Sequence, residues 1–106
     1  LIVSVISPLK ETRELARKKF GNSYFEVHTK CNLKELIRRD PKKLYLKAKQ
    51  GKIQNLIGYN SKIKYEKTNY KKITVNTYKE TIKESAKKIL KKIMKEKGLK
   101  KYNPQV

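Results

Sequence analysis

The hydrophobic and polar positions along the chain alternate between runs typical of strands and spacings typical of helices. Leu1 to Ile6 is an apolar run interrupted only by Ser4, which predicts a strand buried on both faces. Ser23 to Thr29 and Ile73 to Val75 have the β-branched and aromatic residues of two further strands. Three strands are therefore expected.

The first predicted helix follows the first strand. Leu9 to Phe20 has apolar residues at helical spacing. Ser7 is predicted to be its N-cap and Pro8 its first residue, because serine and proline favour these positions. Gly21 is predicted to end it.

Three more helices are predicted downstream. One begins after Asn32 and is ended or kinked at Asp40-Pro41, and a second, thinly apolar and exposed, spans Lys42 to Gln50. The last begins at a capping box formed by Thr77 and Glu80. Its predicted apolar stripe consists of Ile82, Ala86, Ile89, Leu90, Ile93 and Met94.

Strands that alternate with helices indicate an α/β fold with three mostly parallel strands and flanking helices. The long stretch from Gly51 to Tyr70 lacks periodicity and is expected to be a loop, and loops of this length are usually functional. With 106 residues, the chain forms one domain at most.

The net charge of +20 favours anionic partners: nucleic acid, nucleotides or an acidic membrane surface. The lysines are scattered through every segment, however, and such a distribution is also typical of an ordinary solvated surface. No stretch approaches the run of about 20 apolar residues that a membrane span requires. No membrane-spanning segment is therefore predicted, and a membrane is not among the expected partners.

The chain has one cysteine, Cys31, and one histidine, His28. A single cysteine excludes a disulfide or a Cys-based metal site within the chain. The two residues are three apart near the end of one predicted strand, which places them on opposite faces. A catalytic pair and a metal site are therefore not expected.

Ligands of open parallel sheets bind beyond the carboxyl ends of the strands. Three segments are predicted there: Ile6-Ser7-Pro8, the stretch after Thr29, and Asn76-Thr77. The basic stretch from Arg38 to Asn60 lies near the same edge in this scheme. It is interpreted either as a lid that folds over a phosphorylated ligand or as a solvated surface helix.

Several segments, in order from Ile2 to Met94, resemble the adenylylsulfate (APS) kinase family. The most specific is Arg39-Asp40-Pro41-Lys42-Lys43-Leu44-Tyr45, followed at the right spacing by Gly51-Lys52-Ile53-Gln54-Asn55-Leu56-Ile57-Gly58. The others are Val5-Ile6-Ser7-Pro8, Tyr24-Phe25-Glu26-Val27 and Tyr65-Glu66.

The resemblance implies a partial P-loop kinase fold, with residues 1–98 as the C-terminal part of the domain, a lid over about residues 38–60, and a tail over residues 99–106. Such kinases transfer the γ-phosphoryl group of ATP to the 3′-hydroxyl of APS, which gives PAPS for sulfate assimilation. ATP and Mg²⁺ are the implied cofactors, a nucleotide is the implied partner, the implied compartment is the cytoplasm, and a homodimer stays an open alternative.

The chain contains no G-x-x-x-x-G-K-[ST] phosphate-binding loop, and its only aspartate, Asp40, lies in the predicted lid. The sequence therefore looks cut from a longer protein. The missing part is expected to hold ATP and Mg²⁺, and this fragment alone is expected to be inactive.

The resemblance also implies site residues. Ile6 and Ser7 match positions that line the acceptor pocket, and Ser7 matches a serine described as a phosphoserine intermediate. Lys42 matches a lysine that contacts the substrate anion. Arg39 matches an arginine on the ATP side, and Lys47 matches a further basic lid position. The alternative for Ser7 is a plain N-cap.

Four departures from the family pattern lie on the substrate side: Lys43 replaces a glycine, Leu56-Ile57 replaces Phe-Thr, and Asn60 replaces an aspartate. The missing phenylalanine removes a base stack worth about 1–3 kcal/mol. The acceptor is therefore either APS or another nucleotide, such as the cytidine diphosphoramidate used by relatives in capsule pathways.

Two other classes of function stay open. The charge of +20 and seven tyrosines would suit a nucleic-acid-binding module, although no RNP-like pattern or recognition helix is present. A non-catalytic remnant that serves as an interaction domain is the other alternative.

Overall fold

A computed structural model describes residues 1–97. The helices are α1 (Lys10–Phe20), α2 (Leu33–Arg39), α3 (Leu44–Lys49) and α4 (Ile82–Lys97), and the strands are β1 (Val27–Lys30) and β2 (Ile73–Asn76). A 3-10 turn, Gly21–Ser23, follows α1. The predicted helix end at Gly98 and the predicted tail lie outside the described residues.

The two strands form a parallel pair, with Val27 opposite Ile73 and Lys30 opposite Asn76. Ile73 and Val75 are 5% and 3% exposed, and α4 packs on β2. Parallel strands need a long crossover, which here carries α2, α3 and the long loop. The predicted α/β fold with a parallel sheet is confirmed.

The structure departs from the prediction at the first strand. Leu1 to Ile6 forms no strand, and its apolar side chains are exposed. The apolar run satisfies the composition of a buried strand, but a strand also needs a neighbour to bond its N–H and C=O groups. Within the described residues β1 and β2 pair only with each other.

Two helix starts also differ from the prediction. Ser7 is not the N-cap of α1, since Leu9 occupies that position and Ser7 has a φ of 41°. The carboxylate of Glu66, which is distant in sequence, accepts a hydrogen bond from the first helical N–H, that of Lys10, at 3.0 Å. The predicted end of this helix at Gly21, with a φ of 53°, is confirmed.

Helix α4 starts one turn later than predicted. Its capping box is formed by Thr81 and Glu84, not by Thr77 and Glu80. The Thr81 hydroxyl accepts from the Glu84 N–H at 3.1 Å, and the Thr81 N–H donates to the Glu84 carboxylate at 3.3 Å. Both pairs fit the same sequence signature, so tertiary contacts decide between them.

The apolar stripe of α4 is confirmed in its second half. Ile89, Leu90, Ile93 and Met94 are half-buried. Ile82 and Ala86 are exposed, whereas Ser85 is buried, and its hydroxyl is satisfied by donating to the Glu80 carboxylate at 2.9 Å.

The chain forms two compact units. One comprises Leu1–Tyr24 and Leu33–Tyr70 and holds α1, α2, α3 and the long loop. The other comprises, within the described residues, Phe25–Asn32 and residues 71–97, and it holds the sheet and α4.

Candidate functional site

The predicted lid, residues 38–60, is organised by a buried carboxylate. Asp40 ends α2, is 7% exposed and has a φ of 23°. Its two carboxylate oxygens accept the N–H groups of Tyr45 and Leu46, at 3.1 and 3.0 Å. These groups lie in the first turn of α3, where backbone N–H groups need acceptors from outside the helix. Asp40 therefore caps α3 across a tight turn.

The residue before α3 adopts an unusual conformation. Lys43 has φ 57° and ψ 28°, which is the left-handed region that glycine adopts most easily. Its N–H donates to the Asp40 carbonyl at 3.0 Å. Lys43 was one of the four departures from the family pattern on the substrate side. It lies at a backbone position where a glycine has a conformational role.

The loop after α3 is closed by Asn60. The Asn60 amide accepts from the Leu56 N–H at 2.7 Å and donates to the Ile53 carbonyl at 3.0 Å. The adjacent Tyr59 ring stacks on Tyr45 of α3, with centroids 5.8 Å apart. The loop is thus anchored to α3. A carboxylate at position 60 could not donate the second hydrogen bond.

The predicted basic residues of the lid are all exposed: Arg39, Lys42 and Lys47. The Arg39 Nε donates to the Glu35 carboxylate at 3.0 Å, and Arg38 bonds the same oxygen. The hydrogen bond from Arg38, together with Arg39, holds the pKa of Glu35 below its ordinary value, although partial desolvation opposes this effect. Arg39, the predicted ATP-side arginine, is therefore ion-paired with a residue of its own helix, α2.

The other predicted pocket residues lie at two places in the same unit. Leu56 and Ile57 are half-buried in the closed loop. Ile6 is exposed and Ser7 is half-buried, just before α1. The described geometry does not test the ligand-binding roles of these residues, which stay predictions.

The segment around Ser7 is fastened by Tyr65-Glu66. The Glu66 N–H donates to the Pro8 carbonyl at 2.8 Å. Arg13 of α1 is 6% exposed, donates to the Glu66 carbonyl, and lies over the Tyr65 ring with its guanidinium carbon 4.3 Å from the centroid. Sequence reasoning missed Arg13.

A signal for this contact exists in the sequence. Arg13 and Arg17 are one helical turn apart, and each lies over a tyrosine of the long loop, Tyr65 and Tyr70 respectively. Paired arginines on one helix face and paired tyrosines in a loop would suggest such cation–π contacts.

At the carboxyl ends of both strands, which are a predicted ligand site, backbone and side-chain polar groups form hydrogen bonds with one another. The Thr77 N–H donates to the Lys30 carbonyl at 2.9 Å, and the Asn76 side chain accepts from the Tyr78 N–H at 3.0 Å. The Asn76 N–H bonds the carboxylate of Glu80. This hydrogen bond is the largest cause that holds the pKa of Glu80 below its ordinary value, followed by that from Ser85.

Within residues 1–97, no cluster of three histidine, cysteine, aspartate or glutamate side chains is arranged to hold a metal ion. In the same part of the chain, no helix has the length and apolar character needed to cross a membrane.

Comparison with known proteins gives a consistent result. Residues 1–76 match the sequence profile described as adenylylsulphate kinase. An adenylyl-sulfate kinase of Clostridium acetobutylicum is 44% identical over 80 residues, which are 76% of this chain and 39% of that protein. One of Pseudomonas aeruginosa is 43% identical over 81 residues, 76% of this chain and 40% of that protein.

A probable adenylyl-sulfate kinase of Pyrococcus abyssi is 42% identical over 80 residues, which are 76% of this chain and 44% of that protein. The chain thus spans about two fifths of the length of these relatives. No solved structure is significantly similar to the chain.

Proposed function

We infer the function of this chain from its family, because the chain belongs to the adenylylsulphate kinase family. We propose that it is the substrate- and lid-bearing C-terminal part of an ATP-dependent kinase. That kinase transfers the γ-phosphoryl group of ATP to the 3′-hydroxyl of APS and yields PAPS. The observation that carries the proposal is the match over residues 1–76, which includes both the Ser7 segment and the whole lid.

The exposed basic residues of the lid support this proposal. Phosphoryl transfer depends mainly on positioning and on neutralising charge, for which arginine and lysine are suited. In the proposed enzyme Lys42 contacts the substrate anion, and Lys47 adds positive charge at the lid surface. Arg39 acts on the ATP side after it exchanges Glu35 for a phosphate, since its side chain is exposed and its ion pair lies at the surface.

We assign binding of the acceptor nucleotide to Ile6, Ser7, Leu56 and Ile57. The first two lie before α1, and the last two offer apolar contact in place of an aromatic stack. Ser7 is proposed to orient the acceptor, because a phosphoserine intermediate is not needed for direct transfer between nucleotides.

The described residues do not offer a site for Mg²⁺. Asp40 is the only aspartate, and both of its oxygens accept backbone N–H groups of α3. We therefore assign ATP and Mg²⁺ to a part of the enzyme outside this chain. The chain by itself is expected to have no kinase activity.

A chimera tests the proposal. Residues 1–76 of this chain replace the matching residues of the C. acetobutylicum kinase, and phosphorylation of APS and of cytidine diphosphoramidate is measured with ATP. We expect the chimera to phosphorylate APS and the 106-residue chain alone to phosphorylate neither acceptor. A preference for the cytidine compound would support the alternative acceptor, which the substitutions at Leu56, Ile57 and Asn60 suggest.

Variants of the chimera sharpen this test. Lys42→Ala should lower kcat/KM for the acceptor by about tenfold or more, the effect of one lost charged contact. Lys49→Ala, which removes another exposed lysine of the same segment, is the matched control and should change it little. A chimera that folds, as judged by circular dichroism, but phosphorylates neither acceptor would contradict the proposal.

A further inference from the structure

Glu66 fixes the start of α1 at three points. Its N–H donates to the Pro8 carbonyl at 2.8 Å, its carboxylate accepts from the Lys10 N–H at 3.0 Å, and its carbonyl accepts from the Arg13 guanidinium. The last two hydrogen bonds join residues 56 and 53 positions apart in the sequence. The loop therefore holds the short segment that leads from Ser7 into the helix.

Stability alone does not account for Arg13. The side chain is 6% exposed, and within the described residues its Nε and Nη1 are buried without a hydrogen-bond acceptor. Burial of a charged group with unsatisfied donors is costly, and an apolar side chain of similar volume is often at least as stable in such a place. The side-chain hydrogen bond and the cation–π contact of Arg13 both go to one dipeptide, to the Glu66 carbonyl and the Tyr65 ring respectively.

Ser7 is held in a strained conformation at the end of this arrangement. Its φ of 41° is unfavourable for a residue with a side chain. Such conformations persist only where the surrounding structure enforces them, and they cluster at functional sites. A hydrogen bond next to Ser7 runs from the Glu66 N–H to the carbonyl of Pro8, the following residue.

We propose that Arg13 and Glu66 are positioning residues that hold Ser7 and Ile6 in the geometry that binds the acceptor nucleotide. This inference rests on the proposed function, because it assigns the acceptor to Ile6 and Ser7. Arg13 acts through Glu66: it orients the Glu66 backbone, and Glu66 in turn orients Pro8 and the first turn of α1.

Enzyme kinetics of the chimera test whether Arg13 affects binding of the acceptor nucleotide. Arg13→Met keeps most of the side-chain volume and removes the hydrogen bond to Glu66. We expect it to raise the KM for APS by about tenfold, with the KM for ATP unchanged. The matched control is Arg17→Met, which removes a cation–π contact from the same helix, 4.8 Å above the Tyr70 ring. Arg17→Met should leave both KM values unchanged. Arg13→Lys should raise the KM for APS less than Arg13→Met does.

Amide hydrogen exchange of the 106-residue chain tests whether Arg13 and Glu66 fix the start of α1, and this measurement does not require enzymatic activity. In Arg13→Met, the N–H groups of Glu66 and Lys10 should exchange several-fold faster than in the unsubstituted chain, since both take part in the three-point contact. In Arg17→Met they should exchange at the unsubstituted rate. Thermal unfolding of the three proteins serves as the control for global destabilisation.

Two results would overturn the inference: equal KM values for APS in Arg13→Met and Arg17→Met, or unchanged exchange at Glu66 and Lys10 in Arg13→Met. A merely structural role for Arg13 predicts a lower melting temperature and a lower yield of active enzyme, with both KM values unchanged. If the unsubstituted chimera is inactive, the proposed function fails, whereas the exchange experiment still decides whether Arg13 and Glu66 fix the start of α1.

Discussion

At the scale of single residues, Lys43 is the position where a substitution has the clearest expected effect. Its left-handed backbone costs a residue with a side chain about 1–2 kcal/mol, whereas glycine adopts it freely. Glycine loses more entropy on folding, which offsets part of this gain. We expect Lys43→Gly to raise the free energy of unfolding by about 0.5 kcal/mol, measured by denaturant unfolding of the chain.

Lys42→Gly is the matched control, because Lys42 is also exposed but does not have a positive φ. It should lower the free energy of unfolding, since only the entropic cost of glycine remains. Equal shifts of the same sign in both variants would show that the backbone at Lys43 is not left-handed in solution.

At the scale of elements, the start of α4 distinguishes two overlapping capping signals. Thr81→Ala removes the acceptor for the Glu84 N–H and should destabilise the chain by about 1 kcal/mol. Thr77→Ala removes a hydroxyl that donates to the Lys30 carbonyl at 3.4 Å, a longer bond, and should cost less. Thermal unfolding followed by circular dichroism measures both. A larger loss in Thr77→Ala would place the start of the helix one turn earlier.

The Glu80 carboxylate joins the end of β2 to α4 and makes the stability of this unit dependent on pH. Hydrogen bonds from the Asn76 N–H and the Ser85 hydroxyl, and then the charge of Lys88, lower its pKa below 4.5. A depressed pKa in the folded state adds stability that is fully present above about pH 4.5 and is lost as the pH falls through the folded-state value.

Glu80→Gln should therefore lower the melting temperature at pH 7. The effect should be smaller at pH 3, because the stability that the carboxylate charge provides is partly lost there in the unsubstituted chain as well. Thermal unfolding of both proteins across this pH range measures the difference. The same loss at pH 3 and at pH 7 would show that the carboxylate charge does not contribute.

At the scale of the whole molecule, a high net charge and few buried apolar side chains limit the stability of the chain. Within the described residues, the buried apolar side chains are Ala48, Ile73 and Val75, whereas the apolar run from Leu1 to Ile6 is exposed. A net charge of +20 on 106 residues adds self-repulsion to this small core. The chain also spans about two fifths of its relatives, which is why the kinase experiment requires a chimera.

The sequence alone determined the features that depend on neighbouring residues. Apolar spacing predicts α1 and the second half of α4, Gly21 ends α1, and Asp40-Pro41 ends α2, because backbone preferences and side-chain periodicity are local. The ordered motifs from Val5 to Tyr65-Glu66 were sufficient to indicate the family, since several weak matches at consistent spacing together become specific.

The tertiary structure decided whatever depends on residues distant in sequence. Leu1 to Ile6 has the composition of a strand, but strand formation requires a hydrogen-bonding neighbour. The cap of α1 comes from Glu66, and Arg13 lies over Tyr65, so the residues around Ser7 by themselves predict neither contact. The contact of Arg13 is suggested only when the arginines of α1 are paired with tyrosines of the distant loop. Ser7 accordingly lies before Leu9, the observed N-cap of α1, and has a φ of 41°.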